Sequence, residues 1–140
     1  HTKRLIDNLG IEQNITFKSN ISKAEIIKLY STSSIAIVSS LYEGFGYPII
    51  EAMSCEVPLI ATNTASIPEL TGKYACLVEP KNDEEIFKSI IKILSDYDKY
   101  KEIAIKGRQH VINKFNWAKI TKEYENIIYE TIKEFKDADI

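Results

Sequence analysis

Apolar residues follow two rhythms along this chain. Short unbroken runs, Ile35-Ala-Ile-Val38, Pro58-Leu-Ile-Ala-Thr62 and Ala75-Cys-Leu-Val78, read as buried strands, and the first lacks the alternation that one solvated face would impose. Asn14-Ile-Thr-Phe-Lys18, with β-branched and aromatic content, reads as a fourth. Between them apolar residues recur at helical spacing. Leu5, Ile6 and Leu9 mark a helix from His1 to Leu9 that Gly10 caps. Ser22-Lys-Ala-Glu25 is a capping box opening a helix to about Thr32, with Ile26, Ile27, Leu29 and Tyr30 as its apolar positions. Ile67-Pro-Glu-Leu70 fits a short helical turn. Asn82-Asp-Glu-Glu85 caps a helix whose apolar face is Ile86, Ile90, Ile93 and Leu94. A helix over 98–114 follows, and Phe115-Asn-Trp117 leads into a long terminal helix over 117–136. Its stripe of Ile120, Tyr124, Ile127, Ile128, Ile132 and Phe135 is expected to face the core, with the tail after Lys136 frayed. Strands alternating with helices in one continuous unit, residues 1–140, predict an α/β fold with a parallel sheet.

One stretch breaks the rhythm. From Val38 to Met53 a strand end gives way to a glycine-bearing loop and then a helix. Gly44 and Gly46 allow a sharp turn or close approach of a ligand. Pro48 suits a first helical position and biases Tyr47 toward an extended conformation. Glu43 sits on the loop and Glu51 a turn into the helix, with seven residues between them. On a helical wheel Glu51 lies about 200° from Ile49, so position alone makes it a solvent-facing acid favourable to the helix dipole. Ligands of parallel α/β sheets sit outside the carboxyl ends of the strands. That rule gathers Lys18 to Ile21, Ser39 to Tyr47 and Thr62 to Ser66 on one rim.

Composition narrows the classes. A chain of 140 residues with a net charge of −2 can hold one real core and carries no electrostatic footprint for nucleic acid. No apolar run is long enough to span a membrane and no signal-peptide core is present. Cys55 and Cys76, 21 residues apart without ligand spacing, read as buried free thiols in a reducing compartment, so the chain is expected to be cytoplasmic. No His/Cys cluster offers a metal site, and with two histidines no Ser-His-Asp or Cys-His arrangement is credible.

Ser39-Ser-Leu-Tyr-Glu-Gly-Phe-Gly-Tyr-Pro-Ile-Ile-Glu-Ala-Met-Ser-Cys55 closely resembles the signature of the family-four retaining glycosyltransferases, glycosyl transferases group one, which have the GT-B fold. The resemblance continues co-linearly through Pro58 to Thr62, Ile67-Pro-Glu69, Leu77-Val-Glu-Pro80 and Phe115-Asn-Trp117. It implies the donor-binding part of a Rossmann-like C-terminal domain, whose last helix crosses toward the other domain, so that Tyr124 to Phe135 would pack partly there. It also implies that Glu43 lies by the donor sugar near the anomeric centre, as the catalytic candidate, and that Glu51 accepts both ribose hydroxyls. A carboxylate suits a vicinal diol because it offers paired acceptor oxygens. Backbone N–H groups of Gly44, Phe45, Gly46 and Tyr47 become donors to the sugar or diphosphate, with Ser19 and Thr62 at the same site. The implied substrate is a UDP- or GDP-sugar, used without a metal or other cofactor. A glycosidase pair would place its carboxyls about 5–5.5 or 6.5–9.5 Å apart, which spacing in sequence does not exclude. The Gly-Phe-Gly-x-Pro surroundings favour the transferase. A non-catalytic nucleotide-sugar binding module is the alternative.

The chain also departs from the pattern. Glu56 stands where glycine is usual, and a left-handed conformation there would cost about 1–2 kcal/mol; Ser19 and Ala65-Ser66 replace glycines too. A family member is expected to carry, before residue 1, two further strands, an Arg and a Lys gripping the diphosphate, and an N-terminal domain holding the acceptor. In the family's order those strands lie between the Phe17 and Ile35 strands. The 140 residues alone are therefore expected not to transfer sugar, and the intact enzyme could lie peripherally at the inner face of the membrane.

Overall fold

The structure is a computed structural model that describes residues 2–137. Helix α1 (Thr2–Leu9) ends at Gly10, whose φ of 64° lets the chain turn off the helix. After a 3-10 turn at Glu12–Asn14, helix α2 (Lys23–Thr32) opens with the expected capping box. The Glu25 N–H donates to Ser22 Oγ at 3.3 Å, and the Ser22 N–H donates back to Glu25 Oε2 at 3.0 Å. Strand β1 (Ala36–Val38), helix α3 (Tyr47–Ser54), strand β2 (Leu59–Thr62), the short helix α4 (Ile67–Thr71) and strand β3 (Cys76–Val78) follow. Helices α5 (Asp83–Ser95), α6 (Tyr97–Lys114) and α7 (Trp117–Asp137) complete the described chain. The terminal positions expected of the first helix and of the frayed tail, His1 and 138–140, lie outside the described residues.

The sheet is parallel, in the order β1-β2-β3, with Ala36 opposite Leu59 and Thr62 opposite Val78. Central β2 is buried throughout, and its two faces enter different clusters. Leu59 and Ala61 pack with Ile49, Ala52 and Met53 of α3 and Val111 of α6, whereas Ile60 packs with Val78, Ile93 of α5 and Tyr100. Such two-sided cover explains the unbroken apolar run at β2. Gly107 of α6 is buried where a Cβ would stand 3.1 Å from Tyr74 Cβ and 3.4 Å from Met53 Cε, so its missing side chain lets α6 settle on α3.

Three expectations are corrected. The strand at Asn14–Lys18 does not form. Ile15 is extended, with φ −120° and ψ 130°, but a strand exists through a neighbour's hydrogen bonds, and among the described residues none pairs with this segment. Phe17 is 61% exposed. Likewise β1 is covered on one face only, because it is an edge strand: Ala36 is buried and Ile37 is 45% exposed. The α7 stripe is not core. With α3, α6 and α5 already on the sheet, Tyr124, Ile127, Ile128, Ile132 and Phe135 are exposed, and only Ile120 among the described side chains of α7 is half-buried.

At the end of α3, Glu56 has φ 57°, as its place in a glycine position requires. Helix α6 holds it there: Lys101 Nζ donates to the Glu56 carbonyl at 2.7 Å and Arg108 meets its carboxylate at 3.2 Å. Cys55 and Cys76 are free and half-buried, and burial pushes the Cys76 thiol up.

Candidate functional site

The loop from Ser39 to Gly46 leaves the carboxyl end of β1 and turns into α3. Gly46 makes the turn at φ 88°, and a Cβ there would lie 2.9 Å from Leu70 Cδ1 and 3.2 Å from Ile49 Cδ1. Its carbonyl accepts the Ile49 N–H at 3.0 Å, so the helix starts at Tyr47 and Pro48 falls one place later than expected. Tyr47 is accordingly helical and not extended. The N–H groups of Gly44, Phe45, Gly46 and Tyr47 have no acceptor among the described residues; the first two lie on the loop, and the last two are left free by the helix N-terminus. No atom lies within 4 Å of where a Gly44 Cβ would be, so this part of the loop is open to an incoming group. The Phe45 ring packs against Tyr47 and edge-on against Phe115.

Glu43 is half-buried, and its Oε1 accepts the Ser40 hydroxyl at 2.7 Å. The neighbouring loop after β2 holds the backbone of this one. Ser66 donates to the Glu43 carbonyl at 3.0 Å, Thr64 reaches the Leu41 carbonyl at 3.4 Å, and Thr62 donates to the Ser40 carbonyl. Thr62, expected at the ligand, is 1% exposed and acts on the loop instead.

Glu51 projects from α3 into solvent, as the wheel requires, and engages no hydrogen bond or ion pair among the described residues. It stands between two open cavities of about 590 and 710 Å³, both bounded by Ile26 and Tyr30 of α2. The first also touches Ser39, Ser40 and Pro48; Glu43 lines neither. Burial first, and the Glu51 charge second, push the Tyr30 phenol up, so it stays a donor and reaches the Pro48 carbonyl at 3.4 Å. Ser19 is exposed in the stretch before α2 and lies on neither cavity wall.

Ser40, Ser66 and Tyr30 were not singled out by the sequence reading. The signal for Ser66 is a hydroxyl at each of positions 62, 64 and 66 beside a loop whose carbonyls need donors; Ser40 carries no such sign, and Tyr30 none beyond its apolar spacing. Lys114 meets the exposed Glu69 at 3.7 Å, and His110 Nε2 bonds the Leu70 carbonyl at 3.1 Å. Among the described residues no group of three or more His, Cys, Asp or Glu could hold a metal ion. Asp96-Tyr97-Asp98 lies at the junction of α5 and α6, with Asp96 paired to Lys99 at 3.8 Å.

Residues 1–110 match the family model for glycosyl transferases group 1. The chain belongs to that family. Among glycosyltransferase relatives, it is 32% identical over 133 residues to the O-antigen chain mannosyltransferase B of Escherichia coli, covering 95% of this chain and 33% of that protein. A glycosyltransferase structure from Rickettsia africae superposes with a TM-score of 0.82 at 33% identity, covering 94% of this chain and 35% of the other. The Anabaena protein HepE, solved in complex with UDP-glucose, shares the fold with a TM-score of 0.82 at 23% identity, over 92% of this chain and 36% of its own. The glycosyltransferase fold of these neighbours is GT-B. The chain spans about a third of the length of the first curated relatives it matches. No helix among the described residues is long and apolar enough to cross a membrane.

Proposed function

We propose that this chain is the donor-binding part of a retaining glycosyltransferase, holding a nucleoside diphosphate sugar along the carboxyl ends of β1 and β2. The observation that carries the reading is the pairing of two acids in different states on one loop–helix unit. Glu43 is oriented by Ser40 at 2.7 Å, while Glu51 is exposed and unpaired beside a cavity of about 590 Å³. Glu51 accepts the two ribose hydroxyls, Glu43 meets the sugar near its anomeric carbon, and the free N–H groups of Gly44 to Tyr47 face the diphosphate. Those N–H groups stabilise charge gathering on the departing nucleoside diphosphate. The HepE complex with UDP-glucose supports a nucleotide sugar as ligand of this fold. In this reading the reaction draws on no metal, the acceptor is held by the part of the protein beyond this third, and the isolated chain binds donor without transferring sugar.

Calorimetric titration of UDP-glucose and GDP-mannose into wild type and Glu51→Ala tests the binding half. Hydrogen bonds to a charged group contribute about 1.5–3 kcal/mol, so at least a tenfold loss of affinity is expected. Equal affinity for the two proteins would remove the ribose role. In the full-length enzyme Glu43→Ala is expected to depress kcat more than it raises the donor KM, and the reverse pattern would contradict its place at the sugar.

A further inference from the structure

We propose that Thr62 and Ser66, with Thr64 between them, are positioning residues that fix where Glu43 stands. This deepens the donor-site reading and rests on it for the claim that Glu43 meets the sugar. The three hydroxyls occupy alternate positions from the last residue of β2 into the loop after it, and donate to three carbonyls of the loop after β1, those of Ser40, Leu41 and Glu43. Ser40 closes the circuit, because its own hydroxyl donates to Glu43 Oε1 at 2.7 Å. Glu43 is thereby held twice, through its carbonyl by Ser66 and through its carboxylate by a serine whose carbonyl Thr62 holds.

Two observations set this apart from ordinary loop packing. Among the described residues, Thr62 and Thr71 are the buried polar ones. The Thr71 hydroxyl turns back to Ile67 in its own helix, a local bond, whereas that of Thr62 crosses 22 residues of sequence to Ser40. The donor loop is also anchored from its far side. The Asn63 N–H donates to the Val78 carbonyl at 2.7 Å, and Asn63 Nδ2 donates to Glu79 at 3.2 Å. The third strand therefore fixes the loop that fixes Glu43. The Ser39–Glu43 segment belongs to no helix or strand, so no ladder supplies donors to its carbonyls, and those of the half-buried Ser40 and Glu43 are met by these hydroxyls.

The test uses Ser66→Ala and Thr62→Val, with Thr62→Ser as the variant that restores the hydroxyl. Backbone NMR order parameters across residues 40–46 are expected to fall from rigid values of about 0.85 to below about 0.6 in the first two, while Ile60 and Ala61 in β2 stay rigid. Thr62→Ser is expected to stay near wild type. In parallel, the ratio of UDP-glucose to UDP affinity is expected to fall at least threefold in Ser66→Ala, with UDP affinity unchanged, since Glu43 serves the sugar and not the nucleotide. Unchanged order parameters in Ser66→Ala would overturn the proposal, and so would UDP and UDP-glucose weakening in step. If wild type shows no preference for UDP-glucose or GDP-mannose over the free nucleotides, the donor reading fails by itself, and the order parameters still decide whether the hydroxyls position the loop.

Discussion

Gly46 concentrates the demands that the loop–helix unit makes on a single residue. Its φ of 88° is costly for any side chain, and the nearest atom to an added Cβ, Leu70 Cδ1 at 2.9 Å, belongs to a buried residue of the core. Gly46→Ala is therefore expected to destabilise the chain by about 1–3 kcal/mol, combining left-handed strain with overpacking. Thermal melting checks it, and Gly44→Ala is the control, since open space surrounds that position. An equal change in the two variants would refute the assignment of the strain to Gly46. The pair of glycines was visible in the sequence, but which one is sterically required was not. That depends on Leu70, 24 positions away in the chain.

At the scale of elements, helix starts were the most legible features, because a cap is a local contract between neighbouring residues. Ser22 and Glu25 form the expected box, and Asn82 accepts the Glu85 N–H at 3.1 Å. The Ser22 backbone N–H first, and its hydroxyl second, hold the Glu25 carboxyl below its ordinary 4.5. A depressed carboxylate contributes stability above its unfolded value and loses it as pH falls through the lower folded value. NMR titration is expected to place Glu25 below 4.5 in wild type and to return it only part of the way in Ser22→Ala, which removes the hydroxyl and keeps the backbone N–H; an unmoved titration would contradict the hydroxyl as the second cause. Pairing between elements was less legible. Asn14–Lys18 has strand composition, yet composition does not supply a neighbour, and α7 has a core-like stripe, yet periodicity does not say that a face is already occupied. For the same reason the bonds between the two site loops, which join residues 22 or 23 positions apart, lay beyond local pattern.

Taken whole, the molecule is held together through β2. The parallel α/β class followed from the alternation of buried runs and helices, but the two-sided core is a property of the assembled sheet. Leu59 and Ala61 belong to the cluster under α3 and α6, Ile60 to the cluster under α5, and α6 enters both through Val111 and Tyr100. Neither cluster can open without exposing one face of the same strand, so residues 36–111 are expected to unfold as one unit. Met53→Ala and Ile93→Ala, each removing a buried side chain from a different cluster, should each cost about 2–5 kcal/mol. Both are expected to lower a single thermal transition and to erode the protection of the Ile60 amide together. Ile128→Ser, on the exposed face of α7, should leave that transition in place, because the side chain is already 56% exposed. A Met53→Ala protein that lost α3 while β3 and α5 kept full protection would show two independent clusters. The loops of the donor site would then rest on only one of them.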